Sequence, residues 1–169
     1  GFDMDGVIID HVPNKVKLAA EFGFNITKEQ TPSEILRTLM PTPQYRELQG
    51  ILYDHSKVGL SAPLMPGVKE VLAKIKDKKI PYFLISRRKN RENPNMAVKL
   101  LTRHGLWPEY FNEKNTYFVT EVEEKELKAK ELGITHYIDD EQKVLAALVS
   151  VKHKFLFDHL GVFPNSEYR

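Results

Sequence analysis

Two pairs of carboxylates stand in this sequence at positions where a structural protein seldom places charge. Asp3 and Asp5 lie among apolar residues near the start of the chain, and Asp139 and Asp140 directly follow an apolar run. Carboxylates this close together cannot all be buried and ionised unless a cation or a shared proton offsets their repulsion. Oxygen ligands of this kind suit Mg²⁺. The two pairs therefore predict a magnesium site, provided that the fold brings them together.

Short apolar runs separated by helical patterns predict the elements that would do so. Four runs have the length of a buried strand, at residues 81–85, 116–119, 135–138 and 153–157. Helical spacing of apolar residues occurs between or before them, at 68–75, 97–104 and 144–149. This alternation predicts an α/β, Rossmann-like fold, with a parallel sheet between two layers of helices. Ligands bind at the carboxyl ends of the strands in such sheets, which is where both carboxylate pairs would lie.

Residues 11–64 interrupt the alternation. They contain no strand-like run, and prolines separate three helical stretches at 16–22, 35–40 and 45–55. We therefore expect residues 1–10 and 65–169 to form the α/β core and residues 11–64 to form a small, all-helical cap.

The composition excludes several classes of function. The 169 residues are 41% hydrophobic and 28% charged, as in an ordinary globular protein. The absence of cysteine excludes disulfides, thiolate nucleophiles, cysteine-ligated zinc and iron–sulfur clusters. Because 25 basic and 23 acidic residues nearly cancel, no overall field would recruit a nucleic-acid polymer or an anionic membrane.

No apolar run approaches the roughly 20 residues that a membrane span needs, and the chain opens with Gly-Phe-Asp rather than with a signal-like segment. We therefore expect a soluble, unexported, cytoplasmic protein that is a monomer or a homodimer.

The acidic pairs and two further features resemble the signature of the haloacid dehalogenase-like hydrolase superfamily. Residues 3–6 match its Asp-x-Asp-Gly motif, and the apolar run 83–85 ends in Ser86, as the second motif requires. A lysine before the last acidic strand is the third motif, and the pair 139–140 is the fourth. The four motifs occur in the family's order and span nearly the whole chain.

The resemblance has one departure. Only Gly1 and Phe2 precede Asp3, where relatives have a whole apolar strand. We therefore expect a shortened central strand, either because the sequence starts late or because the sheet tolerates a two-residue segment at its middle.

The resemblance implies a phosphatase in which Asp3 is the nucleophile and Asp5 the general acid/base. Ser86 and a lysine would hold the phosphoryl oxygens. Mg²⁺ would be bound by Asp3, by the backbone carbonyl of Asp5 and by Asp140, and Asp139 would act through water. The expected reaction is hydrolysis of a phosphate monoester through an aspartyl-phosphate intermediate.

Three lysines compete for the third motif, because Lys125, Lys128 and Lys130 share one predicted helix. Lys125 is favoured, since it opens that helix and stands at the family's distance from the Leu-Gly-Ile stretch 132–134. Lys128 is the second candidate. A solvated surface charge is the alternative for each of them.

The basic residues that follow Ser86 bear on the substrate. They are Arg87, Arg88, Lys89 and Arg91. Arg87 is the one expected to bind substrate, and the cluster as a whole could attract a nucleotide. This stretch is somewhat similar to the nucleotidase-type branch of the superfamily, although a solvated loop is the alternative.

Aromatic residues of the insert offer a second substrate surface. Tyr45, Tyr53 and His55 could line a face for a base or a sugar, with packing inside the helical segment as the alternative. The expected partner is a small phosphorylated metabolite.

Two other functions stay open. An Asp two residues after the nucleophile separates phosphatases and phosphomutases of this superfamily from its dehalogenases. A phosphomutase would need a cap that excludes water, and residues 11–64 are few for that purpose. A module that binds Mg²⁺ or a phosphorylated ligand without turnover is the other alternative, which the complete set of motifs argues against.

Overall fold

Strands and helices alternate from residue 68 onward in the computed structural model, which describes residues 1–54, 56–88 and 95–168. The strands are β1 (Leu84–Arg87), β2 (Thr116–Val119), β3 (His136–Asp139) and β4 (His153–Leu156). The helices of this part are α5 (Val68–Asp77), α6 (Asn95–Arg103), α7 (Val122–Glu131) and α8 (Gln142–Ala147). Before them come α1 (Val12–Glu21), α2 (Ser33–Leu39), α3 (Thr42–Asp54) and α4 (Ser56–Gly59), with a 3-10 turn at Lys28–Gln30.

The strands run parallel in two pairs, which the start of the chain joins. Leu84 of β1 lies opposite Thr116 of β2, and His136 of β3 lies opposite His153 of β4. Phe2 forms a parallel bridge to β1 on one side and to β3 on the other. The resulting order is β2, β1, residues 1–3, β3, β4. The predicted α/β fold with parallel strands is therefore confirmed.

The short segment at the middle of the sheet is held from both sides. The amide of Phe2 donates to the carbonyl of Phe83 over 2.9 Å, and its carbonyl accepts from the amide of Ile85 over 3.0 Å. On the other side the amide of Asp3 donates to the carbonyl of Ile138 over 3.0 Å. These backbone bonds direct Asp3 to the carboxyl edge of the sheet.

Helices cover both faces of the sheet because neighbouring strand residues point in opposite directions. Leu84 packs in a cluster with Met4, Leu72 and Leu101, on the side of α5 and α6. The next residue, Ile85, belongs to a second cluster on the side of α7 and α8.

Some predicted boundaries differ from the structure. The first long strand begins at Leu84 rather than at Pro81, which has no N–H to donate to a ladder. Val71 was expected on the buried face of its helix and is 49% exposed. Val149 lies beyond the end of α8 and is 78% exposed, so the predicted helical pattern extends too far there.

The described residues of 11–64 form helices, the 3-10 turn and no strand of the sheet. Helices α1, α2 and α3 bury a cluster of their own, formed by Leu18, Ala19, Leu36, Met40, Leu48 and Leu52. A separate apolar cluster is what a segment needs in order to pack beside the sheet as a unit. The division into an α/β core and a cap stays a prediction.

Among the described residues, no helix is both long enough and apolar enough to cross a membrane.

Candidate active site

A cavity of about 350 Å³ opens at the carboxyl edge of the sheet, between the strand ends and helices α1–α3. Parallel strands that end in polar residues place those side chains at one edge. All seven residues that the sequence predicts for the site line this cavity: Asp3, Asp5, Ser86, Arg87, Lys125, Asp139 and Asp140. The four motifs, although up to 137 residues apart in the chain, therefore meet in space.

Lys125 joins two of the carboxylates. Its Nζ donates to Oδ1 of Asp3 and to Oδ2 of Asp139, each over 2.7 Å. The side chain is 1% exposed and lies over the ring of Tyr137, 5.3 Å from its centroid. Burial alone would lower the pKa of Lys125, but the charges of Asp139 and Asp3 outweigh it and hold that pKa well above its ordinary value.

The competing lysines do not reach the cavity. Nζ of Lys128 donates to Glu131 over 2.6 Å on the outer face of α7, and Lys130 is exposed. Periodicity explains the difference, since Lys125 and Ala129 are the buried residues of this helix and lie four apart on one face.

Asp5 faces a different set of partners. Nε2 of His11 lies 2.7 Å from Oδ1, and Nη2 of Arg88 lies 2.8 Å from Oδ2. The hydroxyl of Ser86, which is fully buried, is 3.4 Å from Oδ2. Burial would raise the pKa of Asp5, but Arg88 and His11 hold it below its usual range. Asp5 is therefore ionised in this arrangement.

Three carboxylates form a cluster that could hold a metal ion. Asp3, Asp139 and Asp140 each offer an oxygen, and these oxygens lie within 4.8 Å of one another. Burial raises the pKa of Asp139 to about 7. Burial and the neighbouring charges of Asp139 and Glu141 raise the pKa of Asp140 well above its ordinary value. A cation would relieve this repulsion, so the cluster fits a hard divalent ion such as Mg²⁺.

Each carboxylate of the cluster is positioned in its own way. Asp139 accepts from Lys125 and also from the amide of Glu141, over 3.0 Å. Asp140 lies against Gly6, where an added Cβ would come within 2.2 Å of its Oδ2. Gly6 also has φ of +88°, so only glycine suits this turn and this contact. The carboxylate of Asp5 lies outside the cluster, which leaves its backbone carbonyl as the group expected to contribute.

The basic residues after Ser86 divide into two kinds. Arg87, predicted to bind substrate, donates to Glu141 over 3.1 Å and is thus already paired. Arg88 is 8% exposed and pairs with Asp5. Lys89 and Arg91 lie outside the described residues, as does His55.

Sequence reasoning missed His11. It is 3% exposed and contacts both Asp5 and the ring of Tyr53, whose centroid is 5.4 Å away. Its position directly after the first motif was the available signal, but no ligand spacing marked it. Tyr45 and Tyr53 both line the cavity. Tyr53 lies beside Arg88, with the guanidinium 4.9 Å from the ring centroid.

No family model matches this chain, and no curated protein matches its sequence significantly. Solved structures do match it. One assigned as a haloacid dehalogenase-like hydrolase, from Bacteroides fragilis, has a TM-score of 0.62 at 14% identity, covering 99% of this chain and 92% of its own. A predicted phosphatase from Clostridium acetobutylicum has a TM-score of 0.58 at 15% identity, covering 89% and 79%.

A third match is a hydrolase of the same family from Deinococcus radiodurans R1, whose crystal structure contains bound phosphate and sodium. Its TM-score is 0.55 at 16% identity, covering 89% of this chain and 76% of its own. Identities this low carry information about the fold. Together with the parallel sheet and the convergence of the four motifs at its carboxyl edge, the matches show that this chain has the fold of the haloacid dehalogenase-like hydrolases.

Proposed function

We propose that this protein is a Mg²⁺-dependent phosphatase that hydrolyses a phosphate monoester through an aspartyl-phosphate formed on Asp3. The observation that carries the proposal is the position of Lys125, whose buried ammonium contacts both Asp3 and Asp139 at the edge of an open cavity. A fully buried lysine is rare without a task, and here it supplies positive charge where phosphoryl oxygens would lie.

Asp3 is the proposed nucleophile because its carboxylate is held in place and faces the cavity. Lys125 binds Oδ1, and the amide of Asp5 donates to Oδ2 over 3.1 Å. In the first step an oxygen of Asp3 forms a bond to phosphorus while the bond from phosphorus to the ester oxygen breaks.

Asp5 is the proposed general acid/base. It gives a proton to the departing alkoxide, which leaves as an alcohol. It then takes a proton from water, whose oxygen attacks phosphorus and breaks the bond to Asp3. Inorganic phosphate leaves, and Asp3 and Asp5 return to their starting states. Because Asp5 is ionised beside Arg88 and His11, it must first release at least one of these contacts and take up a proton from solvent, and it can then act as the acid.

Charge neutralisation falls to the remaining residues. Lys125 and the hydroxyl of Ser86 hold non-bridging phosphoryl oxygens, whose charge is spread in a loose transition state. Asp3 and Asp140, with the carbonyl of Asp5, are the proposed ligands of Mg²⁺, and Asp139 acts through water and through Lys125. When bound, Mg²⁺ would neutralise charge on the phosphoryl group and help to orient its phosphorus toward the nucleophile.

The matched structures support this proposal at the level of chemistry. The relative from D. radiodurans binds phosphate and a cation, and the one from C. acetobutylicum is a predicted phosphatase. We propose further that residues 11–64 act as the cap. Arg37, Arg46 and Tyr45 of this segment line the same cavity as the carboxylates, so a nucleotide or a sugar phosphate would contact both parts.

The test is hydrolysis of p-nitrophenyl phosphate with and without Mg²⁺, followed by a panel of nucleoside monophosphates and sugar phosphates. The wild type should release phosphate only with Mg²⁺. Asp3→Asn should lower turnover at least about a thousandfold while leaving the circular dichroism spectrum unchanged. Asp77→Asn, an exposed carboxylate at the end of α5, is the matched control and should keep full activity.

Two results would contradict the proposal. Release of an isomeric sugar phosphate in place of free phosphate would indicate a phosphomutase. No turnover across the panel, with Mg²⁺ still bound, would indicate a binding module.

A further inference from the structure

Arg88 is a buried cation in the cavity lining whose guanidinium is only partly paired. It is 8% exposed. Its Nη2 bonds to both oxygens of Asp5, at 2.8 and 3.0 Å, and contacts the sulfur of Met4 at 3.6 Å. Among the residues that the structure describes, neither Nε nor Nη1 has a hydrogen-bond partner, although both atoms are buried. Three of the five N–H donors of this side chain are therefore unused.

Such incomplete pairing is unusual for a buried arginine. Buried donors without a partner are unfavourable, and a guanidinium pairs best through two parallel bonds to a planar or tetrahedral anion. The contact with Asp5 uses a single nitrogen. The side chain thus has the capacity to hold another anion that the described residues do not supply.

Catalysis gives a reason for Arg88 to change partner. Both oxygens of Asp5 are taken, one by His11 and Arg88 together and the other by Arg88. Asp5 must present an oxygen to the leaving alcohol, so Arg88 has to release at least one of them when substrate binds. A cation leaving one carboxylate inside a buried site needs a second anion nearby.

We propose that Arg88 binds a second anionic group on the substrate, a carboxylate or a phosphate carried by the leaving alcohol, and that its pair with Asp5 is the substrate-free arrangement. This inference rests on the proposed phosphatase function. Arg88 lies on the leaving-group side of the site, because it contacts Asp5, which delivers its proton to the leaving oxygen. Lys125 lies on the other side, next to Asp3. The substrate class is then a small phosphate monoester of a hydroxy acid, or a bisphosphate.

The rest of the lining agrees with a doubly anionic substrate. Besides Arg88 and Lys125, five basic side chains of the described residues face the cavity: Lys15, Arg37, Arg46, Arg87 and Lys143. Of the two arginines that follow Ser86, Arg87 is paired with Glu141, which leaves Arg88 as the one with free donors.

The experiment compares esters that differ only in the second group. As the second group, the phosphate ester of hydroxypropionate carries a carboxylate and propanediol bisphosphate carries another phosphate. Propyl phosphate has no second anionic group. We expect the wild type to prefer at least one anionic ester over propyl phosphate by about tenfold or more in kcat/KM, the value of one good charge-assisted pair. In Arg88→Gln the preference should fall to within about twofold, the change expected when this pair is lost.

A control and a second variant make the result specific. Arg103→Gln, at an exposed position on α6 outside the cavity lining, should retain the preference. If Arg88→Gln does not fold, Arg88→Lys decides, because it keeps the charge and loses the planar fork. A reduced preference in Arg88→Lys supports the proposal, and the full wild-type preference overturns it.

Measurements of ester binding test the assignment of Arg88 independently of the phosphatase proposal. Titration calorimetry of Asp3→Asn with the three esters, in Mg²⁺, measures the same ratio without turnover. Equal affinity for all three esters, or a preference that survives Arg88→Gln, would overturn the assignment of Arg88 even if every ester is hydrolysed. If binding shows a preference that depends on Arg88 but the wild type hydrolyses none of the esters, the assignment of Arg88 stands and the phosphatase proposal fails.

Discussion

The ammonium of Lys125 lies 2.7 Å from Oδ1 of Asp3, across 122 residues of chain. The same nitrogen bonds Asp139 at the same distance, so one buried cation offsets two buried carboxylates. This contact unites the first, third and fourth motifs into one charged unit. Its removal should therefore affect both stability and chemistry.

We predict that Lys125→Met lowers the free energy of unfolding by about 3–5 kcal/mol, because it leaves buried carboxylates without their cation. Hydrolysis of p-nitrophenyl phosphate should fall at least about a hundredfold. Urea unfolding and steady-state kinetics measure the two effects. Lys128→Met is the matched control on the same helix, since Lys128 pairs with exposed Glu131 and lies over the ring of Tyr117, away from the carboxylates, and it should change each quantity little. Equal effects of the two substitutions would refute the assignment of Lys125.

The carboxylate cluster predicts how stability depends on pH without metal. The pKa of Asp139 is raised from 3.8 to about 7, so between these values the folded protein binds more protons than the unfolded chain. The free energy of unfolding should therefore fall as pH rises from about 4 to about 7 in the presence of EDTA. Melting temperatures measured across this range check the sign.

Mg²⁺ should reverse that loss. An ion that binds the ionised cluster stabilises the folded protein most where the carboxylates are charged, so the gain in melting temperature should be larger at pH 7 than at pH 5. A gain that is the same at both pH values, or that is absent, would argue against a metal site at Asp3, Asp139 and Asp140.

Gly6 offers a test of the contact with Asp140. Gly6→Ala would place a Cβ within 2.2 Å of Oδ2 of Asp140 and would force φ of +88° on alanine. We expect a loss of Mg²⁺ affinity of about tenfold or more, in addition to the backbone strain. The titration of melting temperature with Mg²⁺ measures this.

Gly67→Ala is the matched control, because Gly67 has φ of +81° and no atom within 4 Å of the added Cβ. It should cost about 1–2 kcal/mol of backbone strain and leave Mg²⁺ affinity unchanged. If both substitutions weaken Mg²⁺ binding equally, the contact between Gly6 and Asp140 is not what positions the ligand.

Glu34 links the helical segment to the sheet side of the cavity. Its Oε1 accepts from the amide of Lys143 at the start of α8, and its Oε2 accepts from Gln142, both over 3.1 Å. Glu34→Ala should cost about 0.5–1.5 kcal/mol and loosen this attachment. Hydrogen exchange of residues 11–64 should increase, and KM should rise because the substrate would lose part of its enclosure.

Glu29→Ala is the control for that experiment, since Glu29 is exposed and its ion pair is with the adjacent Lys28. It should leave hydrogen exchange and KM unchanged. Faster exchange in both variants would mean that any loss of charge in the segment loosens it, and that Glu34 is not a specific attachment.

Local sequence patterns predicted most of the fold and all four motifs. The apolar run that ends at Asp139 can be recognised from sequence because its apolar and acidic residues are adjacent in the chain. Three of the four predicted strands agree with the structure to within one residue, and all four motif elements line one cavity. Burial of a strand and a change to polar residues at its end are both short-range properties.

The exact ends of the helices and the packing partners of individual residues depended on tertiary contacts. Val71 and Val149 follow a helical pattern, but the packing around them leaves both exposed. Phe2 has no strand-like run around it, and its expected place in a shortened central strand rested on the family resemblance. The strands on its two sides make it the middle of the sheet.

Short-range patterns were therefore sufficient to predict the class of fold, the four motifs and the carboxylate chemistry, because each of these depends on neighbouring residues. Packing established which lysine faces the carboxylates, that Arg87 is paired with Glu141, and that His11 and Arg88 share Asp5. These are contacts between side chains far apart in the chain or on different elements. Which side chains pair is set by which groups are buried next to one another, because a buried charge needs a nearby partner whatever its position in the chain.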